Sequence, residues 1–206
     1  MLADPVLHAD AALVVADKPA GLLAVPGRGE AGLVNLASQL QQRFADAQIV
    51  HRLDMATSGL IVFARGAEAQ RRLSAAFAER RVRKRYVAVV EGEVEGDEGR
   101  IDAPLIADWP HRPLQKVCTA TGKASLTLWR VLARGPGWTR LALTPVTGRS
   151  HQLRVHLRHI GHPIRGDGLY GALPERGPRL LLHAEHLAFQ HPLDHVDLAF
   201  TSPCPF

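Results

Sequence analysis

Apolar positions along this chain fall mostly in short runs broken by Pro, Gly and charged residues, and only a few stretches carry helical spacing. The runs at 13–16, 49–53, 60–64, 86–90, 126–132, 138–143, 180–189 and 196–200 predict strands. The pair at 126–132 and 138–143 reads as a hairpin around Gly135-Pro136-Gly137. Helical spacing predicts a helix over 34–44 with Leu33, Leu36, Leu40 and Phe44 on one face, and another over about 67–79 with Leu73, Ala76 and Phe77 inward. A third helix is expected over 150–160, with Ser150 as its N-cap. Residues 18–29 form a Pro/Gly loop, 91–100 a Gly/acid turn, and 104–117 a long irregular excursion of the kind usually tied to function. Strands interspersed with few helices predict a mixed α+β fold with a largely antiparallel sheet. No repeat, low-complexity segment or linker divides the chain, so a single domain over 1–206 is expected.

Composition narrows the partners. The chain has 206 residues, 46% hydrophobic, enough for a substantial core. Its formal charge is +5, and its cations are 21 Arg against 4 Lys, so an acidic polymer is a natural partner. Two cysteines, Cys118 and Cys204, lack the spacing of a zinc finger, a redox pair or a disulfide framework, which suits a reducing cytoplasm. No signal-like start and no long apolar run is present, so neither export nor membrane insertion is expected. Eleven histidines invite a metal site, yet neither the pair His156/His159 nor the pair His183/His186 belongs to a recognised ligand arrangement, and no metal is expected. Gly166-Asp167-Gly168 fits neither phosphate-binding glycine motif, so no nucleotide cofactor is implied.

Three segments concentrate the candidate chemistry. His51-Arg52-Leu53-Asp54-Met55-Ala56-Thr57-Ser58-Gly59 hangs a carboxylate, Asp54, behind Arg52 in a turn between two apolar runs. An Asp in such a turn commonly only bonds loop amides; at a strand end it can also meet a ligand while held firmly. Arg80-Arg81-Val82-Arg83-Lys84-Arg85 places five cations in six residues directly before Tyr86. Such a run is either a solvated helix end or a phosphate grip beside an aromatic that can stack on a base. In the segment 147–158, His151, Arg154 and Arg158 lie at i, i+3 and i+7, apart from the apolar stripe of Leu153, Leu157 and Ile160. The cationic stripe of His151, Arg154 and Arg158 faces either solvent or Asp54, where Arg154 would hold the carboxylate ionised and oriented.

Taken in order, Lys18-Pro19-Ala20-Gly21, the segment 51–59, the basic run ending in Tyr86, the segment 147–156 and the segment 180–192 resemble the RluA family of pseudouridine synthases. The segment 108–118 resembles the founding subgroup, whose members modify both a 23S rRNA hairpin and the tRNA anticodon stem-loop. The resemblance implies a central, mostly antiparallel mixed sheet flanked by helices and loops, with the active site in a basic cleft. It implies Asp54 as catalytic aspartate, Tyr86 as active-site tyrosine, Arg154 as the aspartate's partner, and Arg52 as occupant of the space left by the extruded uridine. Arg83, Lys84, Arg85, Arg149, His151 and Arg158 are the expected RNA contacts. No cofactor is needed, because the reaction moves uracil from N1 to C5 attachment without redox change. With no room before Leu13 for an S4-like RNA-binding domain, the catalytic domain's own loops are expected to grip RNA, as a monomer. A non-catalytic RNA-binding or ribosome-assembly module and a metal-dependent nuclease are the rival readings.

Overall fold

The structure is a computed structural model that describes residues 4–27, 29, 32–171 and 179–206. The chain divides into two compact units, Met1–Lys84 with Ala184–Pro205, and Arg85–His183 with Phe206.

In the first unit β1 (Val6–Ala9) pairs antiparallel with β2 (Leu13–Lys18), and β2 with β4 (Ser58–Arg65) in the register Val15↔Val62. The short β3 (Ala47–Ile49) also pairs with β4, which neighbours β11 (Leu182–Gln190), and β12 (Asp197–Thr201) closes against β11. Residues 60–64 are buried on both faces, which explains an apolar run without alternation. Helix α2 (Ala67–Ala78) buries Ala69, Leu73 and Ala76 against Leu13, Val15, Leu60, Val62, Leu187 and Phe189. Its inward positions recur at i, i+4 and i+7, one face of a helix.

Helix α1 (Leu36–Arg43) begins later than its apolar spacing suggests. Asn35 is the N-cap, its side-chain oxygen accepting the Ser38 amide at 2.9 Å, so the chain before it is free to diverge. Leu33 and Val34, expected on the helix, are instead 71% and 65% exposed.

In the second unit β5 (Arg83–Glu91), whose first two residues belong to the first unit, pairs antiparallel with β10 (Trp138–Pro145). Next come β9 (Leu126–Gly135), joined to β10 in the expected hairpin, and β6 (Glu98–Asp102). The excursion expected over 104–117 is an arm: β7 (Leu105–Ala107) pairs with β8 (Gln115–Val117) across a 3-10 turn at Trp109–His111. Helix α3 (Gln152–His159) supports that arm, with Leu105, Val155 and Tyr170 packed together and Leu114 and Val117 against them. Among the described residues, no helix is long and apolar enough to cross a membrane.

Candidate active site

Arg52 and Asp54 lie in the first unit, in the connection between β3 and β4. The expected strand over 49–53 ends at Ile49, because the Val62 amide on β4 donates to His51 Nε2 at 3.1 Å instead of to a strand carbonyl. The turn that follows is fastened through its backbone. The Met55 carbonyl accepts the Lys18 ammonium at 3.0 Å and the Gly21 amide at 2.9 Å, while the Asp54 carbonyl accepts the Thr57 amide at 3.1 Å. Lys18 is 0% exposed and also donates to the carbonyls of Pro19 and Leu22, both at 2.8 Å. Three carbonyls therefore match the three protons of a buried ammonium. Just past the turn, at the start of β4, Gly59 has φ +110°, where a Cβ would stand 2.3 Å from the Ala184 carbonyl oxygen; only glycine fits. Within this frame Asp54 is half-buried and Arg52 is exposed.

Below the turn, the His51 ring stacks on Phe77 with centroids 4.3 Å apart, and the Lys84 ammonium lies 5.9 Å from the Phe77 centroid. Burial, with the Lys84 charge adding to it, pushes the His51 imidazole down to about 3, so the ring is neutral and accepts from Val62. Burial also lowers Lys84. The basic run thus splits. Arg83 and Arg85 are exposed on one side of β5, whereas Lys84 and Tyr86 are half-buried on the other, as strand alternation requires.

In the second unit Tyr86 stands opposite Leu143 on β10. Helix α3 departs from the expected two-faced pattern, since every residue from Gln152 to Leu157 is buried and only Arg158 and His159 are exposed. Its N-cap is His151 rather than Ser150, at φ 55° in the left-handed region. A hydrogen bond of 2.7 Å between His151 Nδ1 and the Tyr170 hydroxyl holds the ring there, and the same hydroxyl accepts the Gln115 amide at 2.8 Å. Arg154 donates from Nε and Nη2 to the two oxygens of Asp167 at 2.8 and 2.7 Å, with side chains 5% and 0% exposed. Asp167 further accepts the amides of Leu169 and Tyr170, and the Arg154 guanidinium lies 5.1 Å from the Tyr170 ring centroid.

Two further polar positions of α3, Gln152 and His156, are interior pins. Gln152 accepts the Thr147 hydroxyl at 2.7 Å and the Arg149 amide at 3.0 Å, and donates to the Leu126 carbonyl and the Thr127 hydroxyl. His156, fully buried, bridges the Thr127 hydroxyl and the Ala103 carbonyl, both at 2.9 Å, and burial lowers its pKa. Arg149 is exposed.

Of the expected residues, Arg52, Asp54, Arg83 and Lys84 therefore belong to the first unit, and Arg85, Tyr86, Arg149, His151, Arg154 and Arg158 to the second. Residue pattern gives no hint of the roles of Tyr170 and Gln152 or of how Lys18 acts, and it brings up Asp167 and His156 only within a glycine motif and a histidine pair that are set aside. One signal existed for Lys18, a lysine closing the strand that begins with the apolar run 13–16. Among the described residues, no three of His, Cys, Asp or Glu gather so as to hold a metal ion.

The family described as RNA pseudouridylate synthase matches residues 12–159. The dual-specificity RNA pseudouridine synthase RluA of Pasteurella multocida is 47% identical over 204 residues, covering 98% of this chain and 93% of its own. The enzyme of the same name from Yersinia pestis is 51% identical over 191 residues, covering 91% of this chain and 92% of its own. Among solved structures, human RNA Pseudouridylate Synthase Domain Containing 1 has a TM-score of 0.83 at 29% identity, covering 98% of this chain and 84% of that one. Fold and relatives define a class of isomerase that converts uridine to pseudouridine within RNA. The chain belongs to the RNA pseudouridylate synthase family and, inside it, to the RluA subgroup.

Proposed function

We propose that Asp54 is the catalytic carboxylate of this isomerisation, that Tyr86 and Arg154 complete the active site, and that Arg52 fills the space the target uridine leaves. The anchoring of the Asp54 turn carries the reading. Lys18 and Gly21 both grip the Met55 carbonyl, so the neighbouring carboxylate is offered from an ordered turn, with an exposed arginine two residues before it. The reaction breaks the N1–C1′ bond, turns the base, joins C5 to C1′ and moves the C5 proton away, while N1 regains one. The base is retained, so one ionised carboxylate assisting at the sugar or ring can suffice where a hydrolase needs a second, acidic one to expel its leaving group. Arg154 suits the orienting role because Asp167 already fixes its guanidinium.

The substrates we infer are the tRNA anticodon stem-loop and a 23S rRNA hairpin, supported by the subgroup and by the dual specificity in its relatives' names. Both RNAs are met in the cytoplasm, where the protein acts as a monomer. Exposed Arg83, Arg85, Arg149 and Arg158 serve the phosphates. Lys84, drawn over Phe77, and His151, bonded to Tyr170, serve instead to position their neighbours.

The test uses stem-loops of both kinds labelled with tritium at uridine C5. Wild type should release tritium without added metal or nucleotide, and Asp54→Asn should release none while binding the same RNA. Release by Asp54→Asn at the wild-type rate would remove Asp54 from the mechanism.

A further inference from the structure

We propose that the β7–β8 arm is a base-stacking element, in which Trp109, backed by Arg112, receives an unpaired nucleobase of the RNA on its open face; the inference rests on the RNA-modifying reading above. Trp109 is 66% exposed at the tip of the arm. A lone exposed aromatic is ordinary, but this one is prepared. The Arg112 guanidinium carbon lies 3.2 Å from the centre of the indole, covering one face and leaving the other to solvent. A base placed on that open face would complete an Arg–Trp–base stack, with the cation beside the phosphate that accompanies every base.

The tip is tied together by its own hydrogen bonds. Asp108 hydrogen-bonds His111 Nδ1 and accepts from Lys116 Nζ, each at 3.0 Å. The backbone closes the turn through Asp108 to Leu114, His111 to Asp108, and Leu114 to His111. Asp108 is thereby paired with Lys116, which leaves Arg112 as cationic excess beside the indole. An apolar protein partner would have to bury that guanidinium, whereas a nucleic acid neutralises it. At its foot the arm is fixed to α3, because the Tyr170 hydroxyl takes the Gln115 amide and Tyr170 packs with Leu105 and Val155. A base held at the tip is thus held relative to the helix that carries Arg154.

The test compares a stem-loop substrate with a fully paired duplex of equal length, for wild type, Trp109→Ala and Trp109→Phe. Trp109→Ala should weaken stem-loop binding roughly fivefold to a hundredfold, as the loss of one stacked base does. Its duplex affinity should stay at the wild-type level, its KM should rise more than its kcat falls, and Trp109→Phe should restore most of the loss. Unchanged stem-loop affinity in Trp109→Ala, or an equal loss on both RNAs, overturns the inference. The catalytic reading is judged separately by wild type and Asp54→Asn on the same stem-loop. If wild type isomerises it and Asp54→Asn does not while Trp109→Ala binds normally, only the stacking role fails.

Discussion

The Asp54 turn and the Arg154 corner are held by opposite means. The turn is gripped through backbone carbonyls, with the Lys18 ammonium and the Gly21 amide as donors, and these bonds are made whichever side chain stands at 54. The corner is a lattice of side chains, in which Arg154, Asp167, Tyr170 and His151 each depend on the identity of the next. The difference teaches that one place can change its chemistry at little cost to folding and the other cannot.

The sharpest way to break this comparison is Asp167→Ala. It leaves a guanidinium that is 5% exposed without that carboxylate, and removal of one member of a buried pair costs about 3–5 kcal/mol. Urea unfolding should show a loss of that size, whereas Asp54→Asn should unfold within about 1 kcal/mol of wild type. Equal losses for the two variants would abolish the distinction.

That contrast also explains what could be read from residue order. The turn that carries Asp54 was legible because it is contiguous, with arginine, carboxylate and glycine within one short segment. Asp167 was not, because its partner Arg154 is 13 residues away, and Gly166-Asp167-Gly168 matches no phosphate motif. The same holds for Gln152 and His156, whose partner Thr127 lies 25 and 29 residues off. Among elements, β4 stood out by its apolar run and α2 by its helical spacing. Strand β6 hid within acids and glycines because only Ile101 of its five residues is buried, and an edge strand so exposed has no alternation to show. The three-residue strands β7 and β8 were too short to leave a period.

Acid sharpens the comparison through two histidines, His51 beside the Asp54 turn and His156 on α3. The unfolded chain takes up a proton on His51 as pH falls through the ordinary value of 6.5, while the folded protein resists until about 3. The stability carried by neutral His51 is therefore complete above about pH 6.5 and is lost progressively as pH drops toward 3, at up to about 1.4 kcal/mol per pH unit. Replacement by Gln keeps an acceptor for the Val62 amide and removes the titration. Unfolding free energies between pH 7 and pH 4.5 should fall less steeply for His51→Gln by nearly one proton. His156 is lowered by burial too, but its hydrogen bond to the Ala103 carbonyl opposes the shift, so His156→Gln should flatten the profile less. The opposite ranking would place the stronger acid sensitivity at α3.

The smallest effect separates two arginines one turn apart on a single helix. Arg154 and Arg158 stand at i and i+4, yet the first is buried on Asp167 and the second is exposed in the last turn of α3. Exposure lets Arg158 meet a phosphate and leaves it little structural part beyond the helix dipole, about 0.3–1 kcal/mol. Arg158→Ala should therefore unfold almost as wild type does, while its RNA affinity falls less steeply with salt. One lost phosphate contact lowers the slope of log affinity against log salt by about 0.7–0.9. Titrations of labelled stem-loop at several salt concentrations measure that slope directly. An unchanged slope would remove Arg158 from the interface, and a large loss of stability would make it a member of the corner after all.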